Sequence, residues 1–388
     1  MDELKLKFRY YLTTVVSWML MVFWIVPINR NKVLFISHSG KKYADSPRKL
    51  SNAIGEMFPK KKQIWVLNDV PKDYPGGIKH VRMHSFKFFY HICTAGTIIT
   101  NNTIDSYIPI RKKQILLNTF HGGGAGKKFG LSESNSSPYY RYFLKIQEKK
   151  TTAVISNSKF YTQNVIIDSM GFRDVTIIEC GQPRNDVLFG YTEHIKQSVK
   201  KKLGITNEKM VLYAPSFRGS HKDAQYLPEN QFLDVERVTR TLSSVYKNDF
   251  VLLFRRHPYM KKVMLGKSID VSDYPEIIDL YCAVDVLITD YSSCMNEFAL
   301  TRKPVFLYVP DYKKYMSNDK GLYWKLEEMP FPYSESNEEL EKTILRFSNE
   351  KYQQNLEDYW NHIGNYEDGH GTECVMKWLE KKWLEKKW

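Results

Sequence analysis

Asp290-Tyr291-Ser292-Ser293 directly follows the apolar run Val286-Leu287-Ile288-Thr289, and a helix-like stretch, Met295 to Leu300, begins just after it. A strand that ends in an acid, an aromatic and two hydroxyls at a helix start suggests an anion site. Ser292 or Ser293 can cap the helix, and its first backbone N–H groups then face a ligand at the positive end of the dipole. Glu297, one turn in, can accept ribose hydroxyls or simply favour the dipole. A second polar cluster, His121-Gly122-Gly123-Gly124, follows the strand-like run Ile115–Phe120. Gly122 and Gly123 let the backbone approach a ligand, and histidine as a residue type titrates near neutrality, so His121 can take a proton from an attacking hydroxyl. This is no Walker A loop, which needs glycine where His121 stands and Ser or Thr where Lys128 stands. Nor is there a G-x-S-x-G elbow to make it a lipase oxyanion loop. Both clusters point to chemistry on a phosphate.

Cations gather at other strand ends. Arg255-Arg256-His257-Pro258 closes the run Phe250–Phe254. A guanidinium grips phosphate bidentately and a histidine can donate to a leaving phosphate oxygen. Strand alternation puts Arg255 and His257 on one face and Arg256 on the other. A surface ion-pair cluster is the plainer account. Arg218, after Tyr213-Ala214-Pro215-Ser216-Phe217, and Arg184, in Gly181-Gln182-Pro183-Arg184-Asn185-Asp186, are weaker candidates, since a lone loop arginine is more often solvated.

These motifs need a scaffold that aligns strand ends. Val33–Ser37, Ile64–Leu67, Thr97–Thr100, Ile115–Phe120, Ala153–Ser156 and Thr176–Ile178 form one series of strand candidates, and Met210–Tyr213, Phe250–Phe254, Val286–Thr289 and Val305–Val309 a second. Such apolar runs, spaced by helical stretches, predict an α/β fold of two Rossmann-type domains with parallel sheets facing a central cleft. In open α/β sheets ligands bind at the carboxyl ends of the strands. The expected organisation is a membrane-associating segment over 1–30, an acceptor domain over 31–185, a donor domain over 186–350 and a helical tail over 351–388.

The chain of 388 residues carries 57 Lys and Arg against 43 Asp and Glu, a net charge of +14. That balance suits anionic partners, and the absence of zinc-finger spacing or an RNP-like aromatic run turns the reading from nucleic acid to membrane and phosphate. Five scattered cysteines, none at metal-ligand spacing, support neither a disulfide framework nor a zinc site. Near the N-terminus, Lys5, Lys7 and Arg9 precede a mostly apolar stretch, Tyr10 to Ile28, with Trp18 and Trp24. A span, a helix in the interface and a helix packed on the protein all fit its length. Towards the C-terminus, Lys377 to Trp388 repeats a five-residue unit rich in Trp and Lys, which suits an anionic membrane interface or a duplicated tail without a role.

Six motifs in order carry a family resemblance. They are Gly40-Lys41-Lys42-Tyr43-Ala44-Asp45-Ser46-Pro47, Phe120-His121-Gly122 with Lys127-Lys128-Phe129-Gly130, Gly181 to Asp186, Tyr213 to Arg218, His257-Pro258, and Asp290 to Ser293 with Lys303-Pro304. The chain resembles the CDP-glycerol glycerophosphotransferases of teichoic acid and capsule synthesis. The resemblance implies a GT-B-like, peripheral or monotopic enzyme on the cytoplasmic face of the cell membrane. Its members move an alditol phosphate from CDP-glycerol or CDP-ribitol to a lipid-linked saccharide or growing polymer and release CMP. It implies His121 as catalytic base and His257 as a second catalytic histidine. Arg218, Arg255, Asp290, Ser292 and Ser293 are then expected at the donor phosphates, Pro215 and Glu297 at the nucleotide, and Gly122 and Gly123 in the loop beside the base. No cofactor and no obligatory metal are expected, the CDP-alditol being a substrate. Relatives often carry Trp-His-Gly-Thr where this chain has Phe120-His121-Gly122-Gly123, a difference that bears on acceptor or alditol choice. The short stretch before Val33 favours a primase-like or capsule-type member. The alternatives are a GT-B glycosyltransferase using a nucleotide sugar and a non-catalytic, membrane-attached binder of anionic polymer.

Overall fold

The computed structural model describes residues 2–71, 74–120, 126, 128, 130–132, 137–190, 192–218, 225–257, 260–318 and 321–385. The chain divides into two compact units: Met1–His121 with Gly130–Asp186 and Tyr366–Trp388, and Gly122–Phe129 with Val187–Asn365.

The first unit is built on seven strands: β1 (Asn29–Ile36), β2 (Lys62–Val66), β3 (Lys79–Val81), β4 (Ala95–Thr100), β5 (Ile115–Asn118), β6 (Ala153–Ser156) and β7 (Thr176–Glu179). Their spatial order is β3-β2-β1-β4-β5-β6-β7, and every pair is parallel. Alternate residues feed opposite cores. Val33 and Phe35 pack with Trp65 and Leu117 on one face, while Leu34 and Ile36 pack with Val66, Phe88 and Ile98 on the other. A sheet covered on both faces is why these strands read as unbroken apolar runs.

The second unit repeats the plan with β8 (Lys209–Tyr213), β9 (Phe250–Phe254), β10 (Ile269–Asp270), β11 (Val286–Thr289), β12 (Val305–Tyr308) and β13 (Tyr333–Ser334). The order β10-β9-β8-β11-β12-β13 is again wholly parallel. Met210 and Leu212 face one core, Val211 and Tyr213 the other. In both sheets the order reverses beside the first strand, between β1 and β4 and between β8 and β11. Connections diverge there and leave a crevice at the strand ends.

The final segment departs from expectation. Residues 351–388 do not form one tail: the helix Asn349–Ile363 belongs to the second unit, and the helix Gly371–Glu385 returns to the first. Val375, Met376 and Leu379 enter the core that holds Val33 and Trp65, and Trp383 donates its indole N–H to Thr97 Oγ1 at 2.9 Å. Lys61 lies over the Trp383 ring, 3.9 Å from its centroid. Trp383 therefore serves packing, not a membrane interface. The entry is fixed by Asp186, whose carboxylate accepts from Gly371 N and Thr372 N. Only glycine fits at 371, where a Cβ would stand 2.3 Å from the Gly181 carbonyl oxygen.

At the other terminus a helix over Asp2–Leu20 runs into a 3₁₀ turn, Met21–Ile25. Residues Phe8–Ile25 are long and apolar enough to cross a membrane by length and composition. One side touches the first unit through Tyr10 on Tyr142 and Arg9 over Tyr139. Tyr11, Trp18, Met19 and Ile25 are exposed, so this is not a core helix.

Candidate functional site

Three buried or half-buried groups lock the turn after β11. Asp290 is 1% exposed. One of its oxygens accepts from Ser216 N at 2.8 Å, and the other from Arg218 Nη1 at 2.8 Å. Arg218 also holds Asp311 through Nε (2.6 Å) and Nη2 (3.0 Å), and donates from Nη1 to the Ser216 carbonyl at 3.0 Å. Its guanidinium lies 5.0 Å from the Tyr291 ring centroid, and Tyr291 stacks on Tyr315. Burial alone would lower the Arg218 pKa, but Asp290 and Asp311 outweigh it and the net shift is upward. Pro215 is buried in the same turn.

This geometry changes the expected roles. Four of the five guanidinium donors of Arg218 are committed inside the protein. Arg218 and Asp290 are therefore positioning groups joining the β8 and β11 strand ends, and not a free phosphate clamp. Arg255 is drawn inward through one nitrogen: its Nη1 donates to the carbonyls of Val271 and Tyr274, both at 2.9 Å. Arg256 bonds the Met260 carbonyl in the same manner. An arginine one residue beyond a strand meets the bare carbonyls of the neighbouring strand's end, which outcompete solvent there. His257 is half-buried against the Phe217 ring, centroids 4.6 Å apart, so the β8 and β9 strand ends do meet.

The helix after the serines runs from Cys294 to Ala299. Ser293 precedes it in an already helical backbone conformation, φ −60° and ψ −13°, and its side chain makes no cap bond. A capping serine needs an extended backbone to reach forward, so the expected Ser293 cap does not form. Ser292 Oγ accepts a long 3.5 Å bond from Cys294 N. Both serines are half-buried, and Glu297 is 4% exposed within the helix.

His121, Gly122 and Gly123 lie outside the described residues, but the chain on either side of them is placed. Phe120 adopts a left-handed φ of +53°, uncommon for an aromatic, and is buried. Gly126 carbonyl accepts from Tyr323 N, and Lys128 N donates to the Gly321 carbonyl. A Cβ on Gly126 would stand 3.5 Å from the Tyr291 carbonyl oxygen. Gly126 thus lies beside the Asp290–Ser293 turn within the second unit.

The first sheet has a counterpart network that the sequence reading underrated. Asp45, 4% exposed, accepts from Arg184 Nη1 and Asn101 Nδ2, each at 2.9 Å, and lies 3.4 Å from His38 Nε2. Asn101 Oδ1 in turn accepts from His38 N at 2.8 Å. His38, Ser39 and Asp45 all have positive φ, a concentration of strain at the β1–β4 switch point. Its signal in the sequence was the pairing of Asp45 and Arg184, both after strand ends, because a buried carboxylate needs a cation. Burial raises the Asp45 pKa, but Arg184 chiefly, then His38, hold it well below the usual carboxylate range. A depressed folded pKa contributes stability that is complete above the unfolded value of about 3.9 and is lost as pH falls through the folded one. Urea unfolding should therefore show Asp45→Asn weaker than wild type at pH 7, with the gap closing as pH falls below about 4. A gap independent of pH would contradict the ion pair. Among the described residues no cluster of His, Cys, Asp and Glu is placed to hold a metal ion.

Two parallel, doubly wound units with buried polar networks at both switch points define a GT-B-like α/β protein. The solved structure of the wall teichoic acid polymerase TagF shares this fold, with a TM-score of 0.81 over 99% of this chain and 98% of that one at 22% identity. The family model described as CDP-glycerol:poly(glycerophosphate) glycerophosphotransferase matches residues 18–381, and the chain belongs to that family of enzymes. It is 27% identical to the teichoic acid poly(glycerol phosphate) polymerase of Bacillus spizizenii, over 97% of this chain and 99% of that protein. The polymerase of the same name from Bacillus subtilis is also 27% identical, but the match spans only 49% of its length.

Proposed function

We propose that the chain moves glycerol phosphate, or a related alditol phosphate, from its CDP conjugate to a hydroxyl of a lipid-linked saccharide or growing polymer. The family match across residues 18–381 carries this reading, because it takes in every strand-end motif described above. The acceptor oxygen attacks the β-phosphorus in line, its proton passes to His121, and the bond to the α-phosphate bridging oxygen breaks to release CMP. No covalent enzyme intermediate is needed, since such transfers depend on positioning and charge stabilisation. His257 and the Ser292–Ser293 hydroxyls serve the departing CMP, while Arg218, through Asp290, holds that turn in register. No obligatory metal or cofactor enters the scheme. The exposed face around Trp18 and Ile25 seats the enzyme on the cytoplasmic membrane surface, where a lipid-linked acceptor lies. Primase and polymerase are not separated by size, as the Bacillus spizizenii polymerase matches almost end to end.

Incubation of the purified chain with defined lipid-linked acceptors tests the reading. CMP release from CDP-glycerol or CDP-ribitol, with product length giving the number of additions, is the expected result. Turnover of UDP- or GDP-sugars with none of the CDP-alditols would replace it by a glycosyltransferase.

A further inference from the structure

Because both sheets are parallel, each has an amino-terminal edge opposite the strand ends that carry the motifs. On the first unit that edge holds a cavity of about 850 Å³, lined by Val26 to Asn29, the starts of β1 and β2, Ile78 and Lys79, and Tyr90, His91 and Thr94. Lys32, Lys61, Lys62 and Lys79 line it together with His91, and no Asp or Glu does. Lys32 and Lys62 are direct partners across the β1–β2 ladder. Like charges so placed repel, and no carboxylate among the described residues of the cavity wall offsets them.

Lys32 is the deepest of these cations, 6% exposed, its ammonium bonded to Thr94 Oγ1 at 2.6 Å and 4.7 Å from the Tyr90 ring centroid. Burial, then Lys62, bring its pKa down to about 8. His91 Nδ1 is buried without a hydrogen-bond partner among the described residues. Burial, then Lys32, Lys79 and Lys87, hold that ring's pKa down to about 4. A fold keeps a buried ammonium and a ring of lysines without a facing carboxylate at a measurable cost. An anion held in the cavity removes that cost. The lip, Val26 to Ile28, continues directly from the exposed Trp18–Ile25 surface, and a smaller basic hollow formed by Ile28, Arg30, Arg111, Lys112 and Lys113 adjoins it.

We propose that this cavity is a phosphate site distinct from the transfer site, filled by the phosphate of an anionic lipid headgroup. The same chemistry free in solution is the other source, and the adjoining apolar surface favours the lipid. The site does not depend on which alditol the enzyme transfers.

The test uses the full chain, Lys62→Ser/Lys79→Ser at two exposed rim positions, and Lys32→Met, which keeps the aliphatic stem. Binding is measured to phosphatidylglycerol vesicles, to phosphatidylcholine vesicles and, by calorimetry, to inorganic phosphate. The expected result is preference for phosphatidylglycerol that falls about fivefold per lysine removed, with phosphatidylcholine binding and CMP release on a soluble acceptor unchanged. Phosphate binding that falls in the variants while vesicle preference does not would keep the site and assign the free source. Unchanged binding of both anions in the rim double variant would overturn the proposal, and its exposed positions keep misfolding from imitating the expected loss. Ligand binding should also raise the His91 pKa, read from imidazole NMR shifts, in the wild type and not in the rim variant.

Discussion

Arg218→Leu should destabilise the folded chain by about 3–5 kcal/mol, the range for removing one partner of a buried ion pair. The estimate rests on what remains behind. Asp290 and Asp311, 1% and 9% exposed as side chains, would each lose their cation, while among the described residues Asp290 keeps only the Ser216 amide. Lysine should not rescue, because a single ammonium cannot bond Asp311 through two nitrogens and still reach Asp290 and the Ser216 carbonyl. Asp290→Asn in the Arg218→Leu background should recover part of the loss by removing one unpaired charge. Denaturant unfolding measures all three. A loss below about 1 kcal/mol for Arg218→Leu would mean that solvent reaches these carboxylates and that the network is ornamental. CMP release should fall alongside, since the Asp290–Ser293 turn loses its anchor.

His121→Asn should lower CMP release by about 10²–10⁴-fold, the usual contribution of a general base. The side chain keeps its polarity and approximate size, so the unfolding midpoint should hold and KM for CDP-glycerol should change little. The loss then belongs to the chemical step. In wild type the rate should rise with pH as the imidazole loses its proton, and that limb should vanish in the variant. If kcat survives the substitution within about threefold, another group accepts the proton. His257→Asn would be the next variant to measure, given its place beside Phe217 at the β9 end.

The central strands were legible because both faces are buried, so runs such as Val33–Ile36 and Val286–Ile288 are continuous, short and bounded by polar residues. β3, β10 and β13 escaped notice for the opposite reason. They are edge strands of two or three residues, among them Lys79, His80 and Asp270, held by their neighbour and not by their own composition. The strand-end location of the motifs was also legible, and the strand order explains why those ends matter. What residue type and spacing did not reveal was which cations are already taken. Arg218 and Arg255 look like phosphate ligands in the sequence, yet Arg218 gives four donors to protein oxygens and Arg255 commits its Nη1 to two backbone carbonyls. Asp45 and Arg184, 139 positions apart, find each other only once the sheet is assembled. Ser293 failed as a cap because its backbone conformation, which residue type alone does not encode, is helical.

The return of Gly371–Glu385 to the first unit bears on how the chain is made. The sheet that emerges first from the ribosome lacks Val375, Met376 and Leu379 in its core, and the Thr97 hydroxyl lacks its indole partner. Glu367 has yet to arrive at Asn157 and Asn185. The second unit, whose segment up to Asn365 precedes them, is synthesised while the first still waits. Completion of the earlier-born half thus waits until translation has passed Glu385. A nascent chain stalled before Gly371 would present that half with an open core, a ready substrate for chaperones and proteases.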